Sequence, residues 1–158
     1  MMSIKLDFGK HGTGYPADLV AQKYGDHMPG VVFETDRDNG TLTGIGDWIG
    51  RDSFKAANVG TFTGEIVEKA VDGRWVVLVR TAENAAFVYQ KPLEPYTSPR
   101  EAMNESSMYN AAGDIVRTYM LRPLDRFETS TENFDGTPKV GAKITGATAD
   151  GKLTVATA

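Results

Sequence analysis

Along most of the chain, apolar and polar residues alternate at the two-residue period of a half-buried strand, not at the helical period. Ile4-Lys-Leu-Asp-Phe8 is the first such run, followed by Gly9-Lys-His-Gly-Thr-Gly-Tyr-Pro16, too rich in glycine and proline for regular structure. Asp18-Leu-Val-Ala-Gln-Lys-Tyr24 is compatible with one short helix or with a strand, and Tyr24-Gly-Asp-His-Met-Pro-Gly30 breaks the chain again. From residue 30 to 90, strands succeed one another. Val31-Val-Phe-Glu-Thr35 leads to Asn39-Gly40, the strongest short hairpin signal, and residues 41–49 leave that turn with two internal glycines, which points to a bulge or a close backbone approach. Residues 62–68 and 74–80 flank Asp72-Gly73, a second predicted hairpin. Trp75-Val-Val-Leu-Val79 is apolar on both faces and predicts the most buried strand. On that strand Val76 and Leu78 are expected in the core with Ile66, and Val77 and Val79 are expected to be covered on the other face.

Phe87-Val-Tyr-Gln90 is a further short strand, and residues 91–99, with three prolines, read as an extended connector. Ser98-Pro99-Arg100-Glu101 is a well-formed helix start, with serine as cap, proline at the first position and glutamate closing a capping box. That helix is expected to reach about Ser107 and is the one helix the pattern supports. Strand patterns return at 114–121 and 125–129. After a turn at Phe134-Asp-Gly-Thr-Pro138, residues 139–145 and 152–156 flank Asp150-Gly151 as a closing hairpin. The expected fold is mainly β: a small β-barrel or β-sandwich with one short helix and an extended N-terminal arm. Residues 1–30 are either a loop wrapped on the domain or an arm reaching for a neighbour. They are assigned here as an arm, with 31–158 as a single β domain.

Composition agrees with that class. Val outnumbers Leu by 13 to 8, and Gly at 17 and Thr at 16 suit a turn-rich β protein of 158 residues. The formal net charge is −4 and each half of the chain carries −2, so the basic face of a nucleic-acid binder is not expected. No apolar run approaches the roughly 20 residues of a spanning helix, and no membrane association is expected. Met1-Met-Ser-Ile-Lys-Leu-Asp7 has no apolar signal core, so no export signal is expected either. The absence of cysteine removes disulfides, thiolate metal sites and cysteine nucleophiles.

Candidate chemistry is sparse. His11, between Lys10 and Gly12, and His27, before Met28-Pro29, lack a partner at metal-ligand spacing and are expected to be exposed loop imidazoles. Gly44-Ile-Gly-Asp-Trp-Ile-Gly50 has its last glycine one residue too late for a dinucleotide fingerprint, so bulge and turn glycines are expected. Glu34-Thr-Asp-Arg-Asp-Asn-Gly40 alternates acids like a calcium loop. Ile45 stands where the bidentate acid belongs, and a polar hairpin turn is expected instead. A Gly-x-Ser-x-Gly nucleophile motif is absent, and Glu65 and Glu68 lie three apart on a strand, on opposite faces. No catalytic, cofactor or metal residues are assigned, and no enzyme activity is expected. The aromatics Tyr15, Tyr24, Trp48 and Phe54 sit in Gly-rich stretches, where they either anchor a partner or plug the ends of a barrel; Phe62 and Trp75 are core candidates.

Three blocks carry a resemblance: Ile4-Lys-Leu-Asp-Phe8-Gly-Lys10; Ala112-Gly-Asp-Ile-Val-Arg-Thr-Tyr-Met-Leu121 with Leu124-Asp-Arg-Phe127; and Phe134-Asp-Gly-Thr-Pro-Lys-Val-Gly141 with Asp150-Gly-Lys-Leu153. In these, about a third of its length, the chain resembles the decoration or cement proteins of tailed bacteriophages, auxiliary head proteins that bind the assembled capsid. The resemblance implies a noncatalytic β domain on the virion exterior, made in the host cytoplasm. It also implies that the major capsid protein is the partner and that copies cluster as a homotrimer or another symmetric group. Residues 51–58 match nothing in that family. The positions assigned to partner contact are Ile4, Leu6 and Phe8 on the arm, with Tyr15 and Trp48 on the irregular stretches. The alternative, from another functional class, is a carbohydrate-binding or adhesive β module with Trp48 as its platform.

Overall fold

A computed structural model describes residues 4–6, 11–19, 21, 27–50, 53–90 and 108–156. Fourteen strands follow in order: β1 (Ile4–Leu6), β2 (Gly14–Asp18), β3 (Gly30–Val32), β4 (Leu42–Gly50), β5 (Ser53–Ala57), β6 (Thr61–Lys69), β7 (Trp75–Glu83), β8 (Ala86–Val88), β9 (Met108–Asn110), β10 (Ile115–Met120), β11 (Arg126–Thr129), β12 (Phe134–Asp135), β13 (Lys143–Ala147) and β14 (Leu153–Val155). The chain is mainly β and includes a barrel, as the alternation predicts. The helix expected from Ser98 and the connector before it lie outside the described residues.

Five strands close a barrel in the order β10-β3-β5-β4-β8. Closure depends on β10, which pairs with β3 through Ile115, Val116 and Arg117 and with β8 through Thr118, Tyr119 and Met120. Seven strands form a second sheet, β12-β14-β13-β6-β7-β11-β2. A two-stranded ribbon, β1-β9, joins the body where Arg37 and Asn110 exchange backbone hydrogen bonds of 2.8 Å.

The barrel and the large sheet share a wall. On β8, Val88 points into the barrel with Val31, Phe33 and Val116, whereas Phe87 points outward. Phe87, Leu42 of β4 and Tyr119 of β10 meet Phe62, Ile66, Val77, Val79, Phe127 and Ile144 of the large sheet in one buried cluster. Every residue of β8 is buried, because both of its faces are covered.

Several expectations need correction. On β7 the buried residues are Val77 and Val79, with Val76 and Leu78 half-exposed on the reverse face. A strand apolar on both faces does not reveal its phase. The cross-strand partner does, since Ile66 sits opposite Val77. Asn39-Gly40 is not a hairpin turn, because β5 lies between β3 and β4, parallel to the first and antiparallel to the second. Segment 14–18 is β2, which covers one edge of β11, and Leu19 and Ala21 are in the core. The Asp72-Gly73 and Asp150-Gly151 hairpins form as predicted, joining β6 to β7 and β13 to β14.

Candidate interaction surface

The far end of β4 builds an open apolar groove. Beyond Thr43, β4 loses β8 as a partner and follows β5 alone, with register shifts between Ile45 and Trp48 and again between Trp48 and Gly50. Glycine is required here, since a Cβ on Gly44 would overlap the carbonyl oxygen of Asn58 on the neighbouring chain segment. The glycines flanking Trp48 are therefore bulge and close-approach residues, as the sequence pattern predicts. The shifted register places Trp48 opposite Phe54.

Residues 27–29 form the opposite bank. They extend β3 along β10, where Thr118 donates to the Pro29 carbonyl from its amide (3.0 Å) and its hydroxyl (2.7 Å), and the Met120 amide donates to His27 (3.1 Å). Between the banks lies a groove of about 370 Å³ lined by His27, Met28, Pro29, Ile45, Trp48, Phe54 and Met120. Trp48 is 65% exposed, and Ile49 and Met28 are exposed beside it. Large apolar side chains on an open rim mark a contact surface more often than a solvated one.

Of the residues assigned to partner contact, Trp48 is at this groove. Tyr15 is exposed on β2, in the other sheet, and packs edge-on against Tyr89 at 6.1 Å. Ile4 and Leu6 lie on β1, whose backbone pairs with β9 of the same chain, Ile4 opposite Asn110 and Leu6 opposite Met108. Phe8 lies outside the described residues. The four described positions therefore fall in three different sheets. Met28, Ile49 and Leu124 are exposed apolar residues that the pattern did not single out. For Met28 the signal was the adjacent Pro29, which keeps that stretch extended.

A second polar centre holds the segments together. His11 is not an exposed loop imidazole. Its Nδ1 lies 2.6 Å from Asp38 Oδ1, its ring stacks on Tyr109 at 4.6 Å, and the Gly12 amide donates to the other Asp38 oxygen at 2.9 Å. Asn133 Nδ2 donates to Thr13 O, Asn39 O and Thr129 Oγ1 at 3.1, 2.9 and 2.8 Å. Its Oδ1 is buried without a hydrogen-bond partner and faces Gly12, where a Cβ would overlap it. Asn39 is likewise used on both ends, accepting from Gln90 N and Asn110 Nδ2 and donating to Gln90 O, all at 3.0 Å. The apparent calcium loop is thus a packed polar joint. Arg37 in the same turn is buried over the Phe33 ring, and burial pushes its pKa down while Asp150 and Asp38 oppose that shift. Among the described residues, no three His, Asp or Glu side chains gather as a metal site.

Known proteins offer no guide to the role of these features: no family matches the chain, and no curated protein or solved structure is similar to it.

Proposed function

We propose that this chain is a noncatalytic structural protein of a tailed-phage virion that binds the outer face of the capsid and links major capsid subunits. The observation that carries the reading is the rim of Trp48 and Met28 around an apolar groove on a barrel wall. An anchor of this kind suits a protein partner, because aromatic and aliphatic side chains give most of their contact energy when a recess excludes water around them. The resemblance in the three sequence blocks supplies the capsid as that partner. Clustering of copies at a capsid symmetry axis fits a module of small net charge, since strongly charged neighbours would repel in a dense array.

The groove's composition favours this reading over a carbohydrate platform. A sugar site sets hydrogen-bonding groups beside its stacking ring, whereas six of the seven residues here are Met28, Pro29, Ile45, Trp48, Phe54 and Met120. Mass spectrometry of purified virions tests the proposal. The chain should be present at hundreds of copies per particle, and its absence from intact virions would refute the assignment.

A further inference from the structure

The large sheet buries one face in the shared core and turns the other outward. Across the middle of that outer face the register aligns one residue from each of five neighbouring strands. They are Lys143 of β13, Glu65 of β6, Leu78 of β7, Arg126 of β11 and Asp18 of β2. Neighbouring strands stand about 4.8 Å apart, so the row is roughly 19 Å wide with Leu78 at its centre. An ion pair flanks the leucine on each side: Lys143 Nζ lies 2.7 Å from Glu65 Oε2, and Arg126 Nη2 lies 2.7 Å from Asp18 Oδ2. Arg80, further along β7, also donates to Glu65. Leu78 and its neighbour on the same face, Val76, are half-exposed and belong to neither buried cluster.

Both ion pairs run in the same sense. From β13 to β2 the row reads cation, anion, leucine, cation, anion, and such a row is complementary to its own reverse. A half-turn about an axis along β7 lays a second copy face to face with the first and reverses the strand order. Lys143 then meets the second copy's Asp18, Glu65 meets its Arg126, and the two Leu78 side chains meet on the axis. A half-turn about an axis across the strands would instead set every charge against itself. Charge therefore selects one arrangement, and it is one that closes at two copies. The next row sets the limit on its strength. Glu68 and Glu128 stand on either side of Val76, so the same half-turn brings Glu68 against the second copy's Glu128. A contact this narrow, with one repulsive row, is smaller than the roughly 800 Å² per partner of a stable interface, and the pairing is weak.

We propose that the outer face of the large sheet is a self-docking surface, on which two copies of this chain pair about a twofold axis along β7. The pairing is a property of the chain in solution and holds whether or not the chain also binds a capsid. Sedimentation velocity of the full chain tests it. The wild type should shift from monomer toward dimer as its concentration rises to about 1 mM, and added salt should shift it back. Asp18→Lys with Arg126→Glu keeps an ion pair within the chain but sets like charges against Lys143 and Glu65 of the second copy. This exchange should weaken dimerisation by about fivefold or more and leave the melting temperature nearly unchanged. Glu65→Lys with Lys143→Glu should weaken it similarly. An equimolar mixture of the two exchanged chains should form mixed dimers, because their rows are complementary again. Glu68→Gln, which removes the facing acids, should strengthen wild-type dimerisation by about twofold. A wild type that stays monomeric at about 1 mM, or that forms a three-copy species, would overturn the proposal. So would a folded exchanged chain that dimerises like wild type, or a mixture of folded exchanged chains that stays monomeric. If circular dichroism shows one exchanged chain unfolded, the other exchange and Glu68→Gln decide, and wild-type dimerisation in both overturns the assignment of this face.

Discussion

Phe127 is the residue on which the shared core turns. It is fully buried on β11, with the Phe87 ring centroid at 4.6 Å and the Phe62 centroid at 6.3 Å, so it touches both the barrel wall and the large sheet. Phe127→Ala should cost about 3–5 kcal/mol, because three surrounding elements would have to move to fill the space. Leu78→Ala should cost clearly less, since Leu78 lies half-exposed on the opposite face of β7. Urea unfolding of the two variants checks the ranking, and equal losses would show that the buried face has been misassigned. The same comparison shows why the phase of β7 was not legible in the sequence. Five consecutive apolar residues satisfy either face, and the choice falls to Ile66 across the ladder, a contact that only the fold supplies.

At the scale of elements, Glu65 on β6 joins three strands. It accepts from Lys143 of β13 at 2.7 Å and from Arg80 of β7, and these two hydrogen bonds, Lys143 first, hold its carboxyl below the usual range. A carboxyl whose folded value is depressed adds stability above its unfolded value, and that stability is lost as pH falls through the folded value. Glu65→Gln should therefore lower the melting temperature at neutral pH and leave it nearly unchanged in strong acid. An equal loss at both ends of a pH series would remove the charge from the explanation. The site is exposed, so the effect at neutral pH should be small and should shrink with added salt. What was legible at this scale was local. Asp72-Gly73 and Asp150-Gly151 sit between strands that pair with each other, and those hairpins form as predicted. Asn39-Gly40 carries the same signal between strands that do not pair, because β5 takes the place beside β3. The strand β5, Ser-Phe-Lys-Ala-Ala, has little alternation to announce it. Trp48 was legible as a lone aromatic in a Gly-rich run. The groove around it was not, because its other bank comes from residues 27–29 and Met120, brought there by barrel closure.

For the whole molecule the question is whether two cores make one cooperative unit. The barrel core of Val31, Phe33, Val88 and Val116 and the larger cluster meet through β8, where adjacent residues point into different cores. A further tie runs through the polar joint. Asn133 and Asn39 connect the segment around Thr13, the turn before β4 and the end of β11, and a Cβ on Gly14 would overlap Gly40 there. Loss of either core therefore exposes the wall of the other, which predicts a single unfolding transition. The two tryptophans are placed to test it. Trp48 reports from the barrel, while Trp75 reports from the large sheet, where its Nε1 donates to Thr131 Oγ1 at 3.1 Å. In Trp48→Phe and Trp75→Phe backgrounds, the remaining fluorophore should give the same urea midpoint as far-UV circular dichroism of the same chain. Adding Phe33→Ala, a lesion confined to the barrel core and expected to cost about 3–5 kcal/mol, should then move both midpoints together. Two separated midpoints, or a shift seen by Trp48 alone, would mean that the barrel unfolds independently of the sheet. The shared wall would then be an interface between separate units, and a protein bound through the Trp48 groove would have only the barrel fastened to its partner.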